Sequence, residues 1–105
     1  MGNPFAGEVT VVIDGTRHVC KLTLGTLAEL EAGLAAGSLV DLVRRFEGAD
    51  FSGAEVLAVI VAGLRGGGWQ GTAVDLVRAD IAGGPIGAAR AAAMLLARAF
   101  ALPED

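Results

Sequence analysis

Cysteine and histidine occur once each in these 105 residues, as Cys20 and His18. A single cysteine cannot close an intrachain disulfide, a usage that suits a reducing cytoplasm. His18 and Cys20 stand two apart on an expected strand, so both point the same way. Zinc asks for three or four protein ligands, and no further His or Cys is present, so no metal site is expected. A Cys20 nucleophile with His18 as its base is disfavoured too, because both would lie on the face meant for the core, where a buried thiol is the commoner state. Positive charge is also scarce. Eight Lys and Arg face twelve Asp and Glu, for a net charge of −4, and the only adjacent basic pair is Arg44-Arg45. Without a basic stripe the chain repels a phosphate backbone, and neither a nucleic-acid partner nor an anionic membrane is expected. No apolar run is long. The longest, "VLAVIVAGL" at residues 56–64, falls far short of the roughly 20 residues a bilayer span needs. The first ten residues, "MGNPFAGEVT", have no Lys or Arg and no apolar centre, so they are not expected to act as a secretory signal, and Ala6 spoils the myristoylation pattern.

What is abundant is apolar surface: 53% of residues are hydrophobic and only 19% charged. For one small domain, residues 1–105 with an ordered core over about 7–102, that is more than a core requires, and some of it is expected to meet a partner. The ends, 1–7 and 103–105, are expected to fray.

Residues 8–24 predict a β-hairpin. "EVTVVID" and "HVCKLTL" alternate and are β-branched, and "DG" joins them. A two-residue Asp14-Gly15 turn places Val9 opposite Cys20, Val11 opposite His18 and Glu8 opposite Lys21. One face then carries Val9, Val11, Ile13, Cys20, Leu22 and Leu24. From Thr26 onward the chain predicts helices, because a Ser or Thr followed three residues later by an acid recurs at Thr26/Glu29, Ser38/Asp41, Ser52/Glu55 and Thr72/Asp75. Glycines close the segments at Gly37, Gly48, Gly66 and Gly83, and Pro85 suits a first turn. The expected helices are 27–36, 39–47, 53–65, 73–82 and 85–101. Their apolar stripes are Leu27-Leu30-Leu34, Leu57-Ile60-Val61-Leu64 and Val74-Val77-Ile81. The last helix is mostly alanine and can approach a neighbour closely, in this chain or in another copy of a homo-oligomer. The fold class is therefore α+β, an antiparallel hairpin followed by a bundle of four to five short helices.

The segment "LRGGGWQG", residues 64–71, packs four glycines into six residues around the only tryptophan. It fits the G-x-G-x-x-G pattern of a dinucleotide turn, and Gly63 and Gly68 have the spacing of a phosphate loop. Both readings need a preceding strand, and the phosphate loop also needs a lysine and a hydroxyl where this chain has Trp69-Gln70. Its expected role is a helix stop and a connector. Trp69 within it either caps the core or meets a partner. No pair of carboxylates shares an evident pocket and no acid, base or nucleophile is placed for chemistry, so no catalytic residue and no cofactor is expected, and the protein reads as a non-enzyme. Candidate partner contacts are Trp69 and, on the last helix, Leu95, Leu96 and Phe100.

The order of parts carries a resemblance. A short "DG" hairpin runs into "LTLGTLAELEAGL" (22–34), "VLAVIVAGLRGGG" (56–68) follows, and an alanine-rich helix ends the chain. Over residues 7–102 this layout resembles the small gene-transfer-agent family proteins of bacteria, which are grouped with phage tail assembly chaperones and sometimes labelled tail tube proteins. The resemblance implies a cytoplasmic chaperone that binds the tape measure protein, or another tail protein, during tail assembly. Its alternative is a structural tail (tube) component carried in the assembled particle. The family implies no catalytic motif.

Overall fold

The computed structural model describes residues 7–34 and 38–100. The order is β1 (Glu8–Ile13), β2 (Thr16–Lys21), α1 (Leu24–Ala32), α2 (Leu39–Glu47), α3 (Gly53–Gly66), α4 (Ala73–Val77) and α5 (Gly84–Ala99). This is the α+β arrangement expected, a two-stranded antiparallel hairpin and five helices. The ends expected to fray, the helix residues 35, 36 and 101 and the stop at Gly37 lie wholly or largely outside the described residues.

The hairpin has the register its turn dictates: Glu8 pairs Lys21, Val9 pairs Cys20, Val11 pairs His18 and Ile13 pairs Thr16. Asp14 and Gly15 supply the positive φ values, 50° and 81°, that the two-residue turn demands. Val9, Val11, Ile13, Cys20 and Leu22 are buried as one face. Leu24 is not part of it and is 86% exposed. The cause is the cap of α1, which starts three residues earlier than expected. Thr23 Oγ1 accepts from the Thr26 backbone N–H at 3.1 Å, and Thr26 Oγ1 accepts from that of Thr23 at 2.8 Å. Two threonines thus make the reciprocal box for which an acid is the usual third member, and Leu24 is drawn out of the strand into the first turn. Ser38/Asp41, Ser52/Glu55 and Thr72/Asp75 form the expected boxes and start α2, α3 and α4.

α4 departs most from its expected length. It stops at Val77, and Val74 and Val77 stand 74% and 67% exposed while Leu76 is buried. The chain beyond it finds a better partner than the next helical turn. The Asp14 N–H donates to Asp80 O at 2.8 Å, the Ala82 N–H donates to Val12 O at 2.9 Å, and the Asp80 N–H reaches Asp14 Oδ1 at 2.9 Å. Ile13 and Ile81 form a bridge there. The turn end of β1's open edge pairs with this segment, at the expense of helix 78–82. Gly83 is then not a stop. With φ 87° it is the N-cap of α5, and Pro85 occupies the first turn.

The core lies between the hairpin and the α3–α5 pair. Val59, Ile60 and Leu64 of α3 and Ala92, Leu95 and Leu96 of α5 are each no more than 1% exposed, and they meet Cys20, Leu42 and Phe46. α3 comes closest to the sheet at its glycine end. A Cβ on Gly66 would lie 1.8 Å from the Lys21 carbonyl oxygen, and one on Gly67 would lie 1.9 Å from that of Val19. Val19 and Lys21 alternate on β2, so both carbonyls leave the same edge of the strand, the edge away from β1. The hydrogens that replace Cβ on these glycines point at the two oxygens, a weak backbone contact that recurs where chains meet closely. One turn earlier, a Cβ on Gly63 would lie 2.7 Å from Leu95 Cδ1 and 3.2 Å from Cys20 Cβ. The glycine run is therefore the place where α3 lies flush on the hairpin and covers its second edge. An exposed ion pair, Arg65 with Glu29 at 3.1 Å, joins the same end of α3 to α1, though such a pair adds little by itself.

Two expectations follow. Gly66→Ala and Gly67→Ala should each lower the unfolding free energy by about 1–3 kcal/mol, whereas Gly53→Ala, which meets nothing within 4 Å, should stay within about 0.5 kcal/mol of the parent. Urea melts decide it, and equal effects at all three positions would refute the close approach. At the other end of α3, Arg45 pairs with Glu55, whose carboxyl is held below its ordinary value first by the Arg45 hydrogen bond. A lowered folded pKa stabilises fully above the unfolded value and loses that effect as pH falls through the folded one. Glu55→Gln should therefore reduce the melting temperature at neutral pH, and the difference should shrink as pH falls below about 4.5, the unperturbed value. A pH-independent difference would contradict this.

Candidate protein-binding surface

α4 is too short to cover the flank of α3, and what it leaves open is apolar. An open cleft of about 390 Å³ runs between α3, α4 and the start of α5. Val56, Leu57 and Ile60 line it from α3, Leu76 and Val77 from α4, and Ile81, Pro85, Ala88 and Ala89 from the α5 side. Among the described residues no ionisable side chain lines it. Phe51 forms one end, held by a parallel stack on Phe46 with ring centroids 4.6 Å apart and planes 7° off. The small side chains Ala88 and Ala89 keep the α5 wall low. Gly83 and Gly84, both at positive φ, turn the chain from the segment after α4 into α5. Val77 in the wall is 67% exposed, and Ile86, beside Pro85, is 68% exposed. Apolar side chains in this number, lining a concavity without a charge, mark a surface that gains by being covered.

A second groove, of about 490 Å³, has the opposite character. It lies between the outer face of the hairpin and α5, lined by Glu8, Thr10 and Val19 on one side and Arg90, Met94 and Arg98 on the other. Arg98 reaches across to donate to the Glu8 carbonyl.

The four residues expected to meet a partner are placed differently. Leu95 and Leu96 are 0% and 1% exposed and belong to the core, which corrects their reading as a contact surface. Alanines at 88, 91 and 92 let α5 approach α3 and β1 so closely that these leucines are swallowed. Phe100 caps the last turn of α5 and is 41% exposed. Trp69 is half-buried against the core. Its ring lies over Gly71, where a Cβ would fall 2.1–2.6 Å from three ring atoms. It also lines a smaller pocket with Asp14, His18 and Asp75 at the hairpin turn. None of the four lines the apolar cleft. Cleft residues Leu57 and Val77 were visible in the sequence, but as members of stripes that read as core. No local signal frees Val77, because the hydrogen bonds that draw the following segment out of the helix come from Val12 and Asp14.

Elsewhere the chemistry is muted. Cys20 is fully buried, and burial pushes its thiol up to about 11, the reverse of what a nucleophilic thiolate needs. The glycine run follows a helix, ends it with Gly67 as C-cap and Gly68 at φ 103°, and is followed by another helix. A dinucleotide turn needs a strand in front of it. Among the described residues no helix is long and apolar enough to cross a membrane.

Comparison with known proteins adds one finding. The model of a family described as "Phage tail tube protein, GTA-gp10" matches residues 6–102. No curated protein and no solved structure matches.

The only tryptophan makes the Trp69–Gly71 contact easy to follow. Native emission should be blue-shifted from that of the urea-unfolded chain, and Gly71→Ala should move it to longer wavelength as the ring is displaced. Unchanged native emission in Gly71→Ala would contradict the stacked placement.

Proposed function

We propose that this chain, which belongs to the phage tail tube protein family GTA-gp10, is a structural subunit of a gene transfer agent tail. Its work in this reading is done by contacts with other tail proteins and not by catalysis. It is made in the cytoplasm and carried in the assembled particle. The observation that carries the reading is the uncharged cleft beside α4, with Val77 in its wall and Ile86, next in the chain to lining residue Pro85, both largely exposed. A free monomer pays continuously for exposing such a surface, and a subunit that spends its life against neighbours does not.

A second reading has a specific observation in its favour. The cleft is bounded by helices and lined by aliphatic side chains, the form of groove that takes the apolar stripe of an amphipathic helix. A tape measure protein would present such a stripe, and the chain would then act as an assembly chaperone that holds it before the tube is built.

Mass spectrometry of purified particles separates the two. A subunit is present in stoichiometric amount. A chaperone is absent from particles and is recovered with the tape measure protein on co-expression. Val77→Asp with Ile86→Asp alters only exposed side chains, so the variant should melt within about 1 kcal/mol of the parent. It should nevertheless be lost from particles or, on the second reading, from the co-purified complex. Normal incorporation of this variant would remove the cleft from the account.

A further inference from the structure

We propose that a second copy of this chain docks head to tail on the first, the outer hairpin face of one copy against the α2 face of the next. The inference rests on the structural-subunit reading and names one joint that such a subunit would use.

Charge is unevenly distributed over a chain that is acidic as a whole. Cross-strand pairing puts Arg17 and Lys21 on the outer face of the hairpin with Val19 between them, 48% exposed. The groove beside that face adds Arg90 and Arg98 of α5, with Met94 44% exposed between them. Four of the eight cations thus gather on one side, where Glu8 is the only carboxylate lining the groove among the described residues. α2 lies elsewhere. It packs on α1 and α5 and on neither strand to a comparable extent. Its surface is acidic: Asp41 and Glu47 are exposed, Asp50 follows, and Glu31 sits at its start, where Oε2 accepts from the Leu39 N–H at 3.3 Å. Arg45 is bound to Glu55, which leaves Arg44 as the one free cation of the helix among the described residues. Val40, 56% exposed, gives this face an apolar spot to match Val19 and Met94.

A basic face and an acidic face, both with apolar centres, on separate sides of one chain fit each other between copies and not within one. Such a contact is heterologous, and repetition gives rings or helical arrays instead of a closed dimer. Single surface ion pairs contribute little. The opposed faces therefore fix orientation and speed of approach, while the apolar centres supply area.

The test is sedimentation velocity of the purified full chain. Mass should rise beyond that of a dimer with concentration in about 0.01 M salt, where charges act over about 30 Å, and association should weaken at least tenfold in about 1 M salt, where they act over about 3 Å. Arg17→Glu with Lys21→Glu should block growth, and so should Glu47→Lys with Asp50→Lys. Mixing those two double variants should restore it, because each reversed face then meets its complement on the other protein. All of these positions are exposed, and melting curves confirm folding. The proposal is overturned if the parent stays monomeric at low salt, if either variant associates like the parent, or if the mixture does not recover. It is also overturned if the monomer binds heparin through the hairpin face without associating, which would assign that face to an acidic partner of another kind. A monomeric parent that is nonetheless stoichiometric in particles removes this joint and leaves the subunit reading. Charge-dependent association by a chain absent from particles does the reverse.

Discussion

The structure depends on how closely α3 can lie on the hairpin. Two strands alone make a marginal sheet, with one face and two edges open to water. Here α3 closes one face with Val59, Ile60 and Leu64, and closes the β2 edge with backbone instead of side chains, since Gly66 and Gly67 leave no room for a Cβ at the Val19 and Lys21 carbonyls. That contact sets the height of α3, and the height of α3 sets the space left for α5. Gly63 against Leu95, and the alanine face of α5, then complete a core in which the largest side chains are leucines and one phenylalanine.

The other edge is handled by a different device with a functional consequence. Residues 80–82 leave helical geometry to pair with the end of β1. The same act shortens α4 to five residues and uncovers the cleft along α3. Edge protection and the exposed apolar surface thus have a common cause. The cleft and the charged faces of the hairpin and α2 occupy different parts of the molecule. A subunit in a tail has neighbours on several sides, and three surfaces of three kinds can tell those neighbours apart.

Local chemistry was legible in the sequence, and competition between distant segments was not. The hairpin register followed from Asp14-Gly15 and alternation, and three of the four acid-containing boxes mark true helix starts, because both signals are contained within a few residues. α1 was misplaced because Thr26 caps through its own hydroxyl, a box no acid announces. α4 was overextended because the hydrogen bonds that stop it come from Val12 and Asp14, more than sixty residues earlier in the chain. Leu95 and Leu96 looked available because alanine neighbours suggest a bare helix, whereas those alanines are what let the helix sink. The meaning of the glycine run changed for the same reason. Its four glycines suggested a cradle for phosphate, yet two of them face strand carbonyls and a third carries the Trp69 ring.

Native-state amide hydrogen exchange tests the central dependence most directly. If the hairpin stands only because α3 lies flush on it, the strand amides of β1 and β2 and the interior amides of α3 will share one opening free energy, equal to that of global unfolding, while α4 opens at lower cost. Strand amides that exchange by a separate, cheaper opening while α3 stays protected would contradict the account.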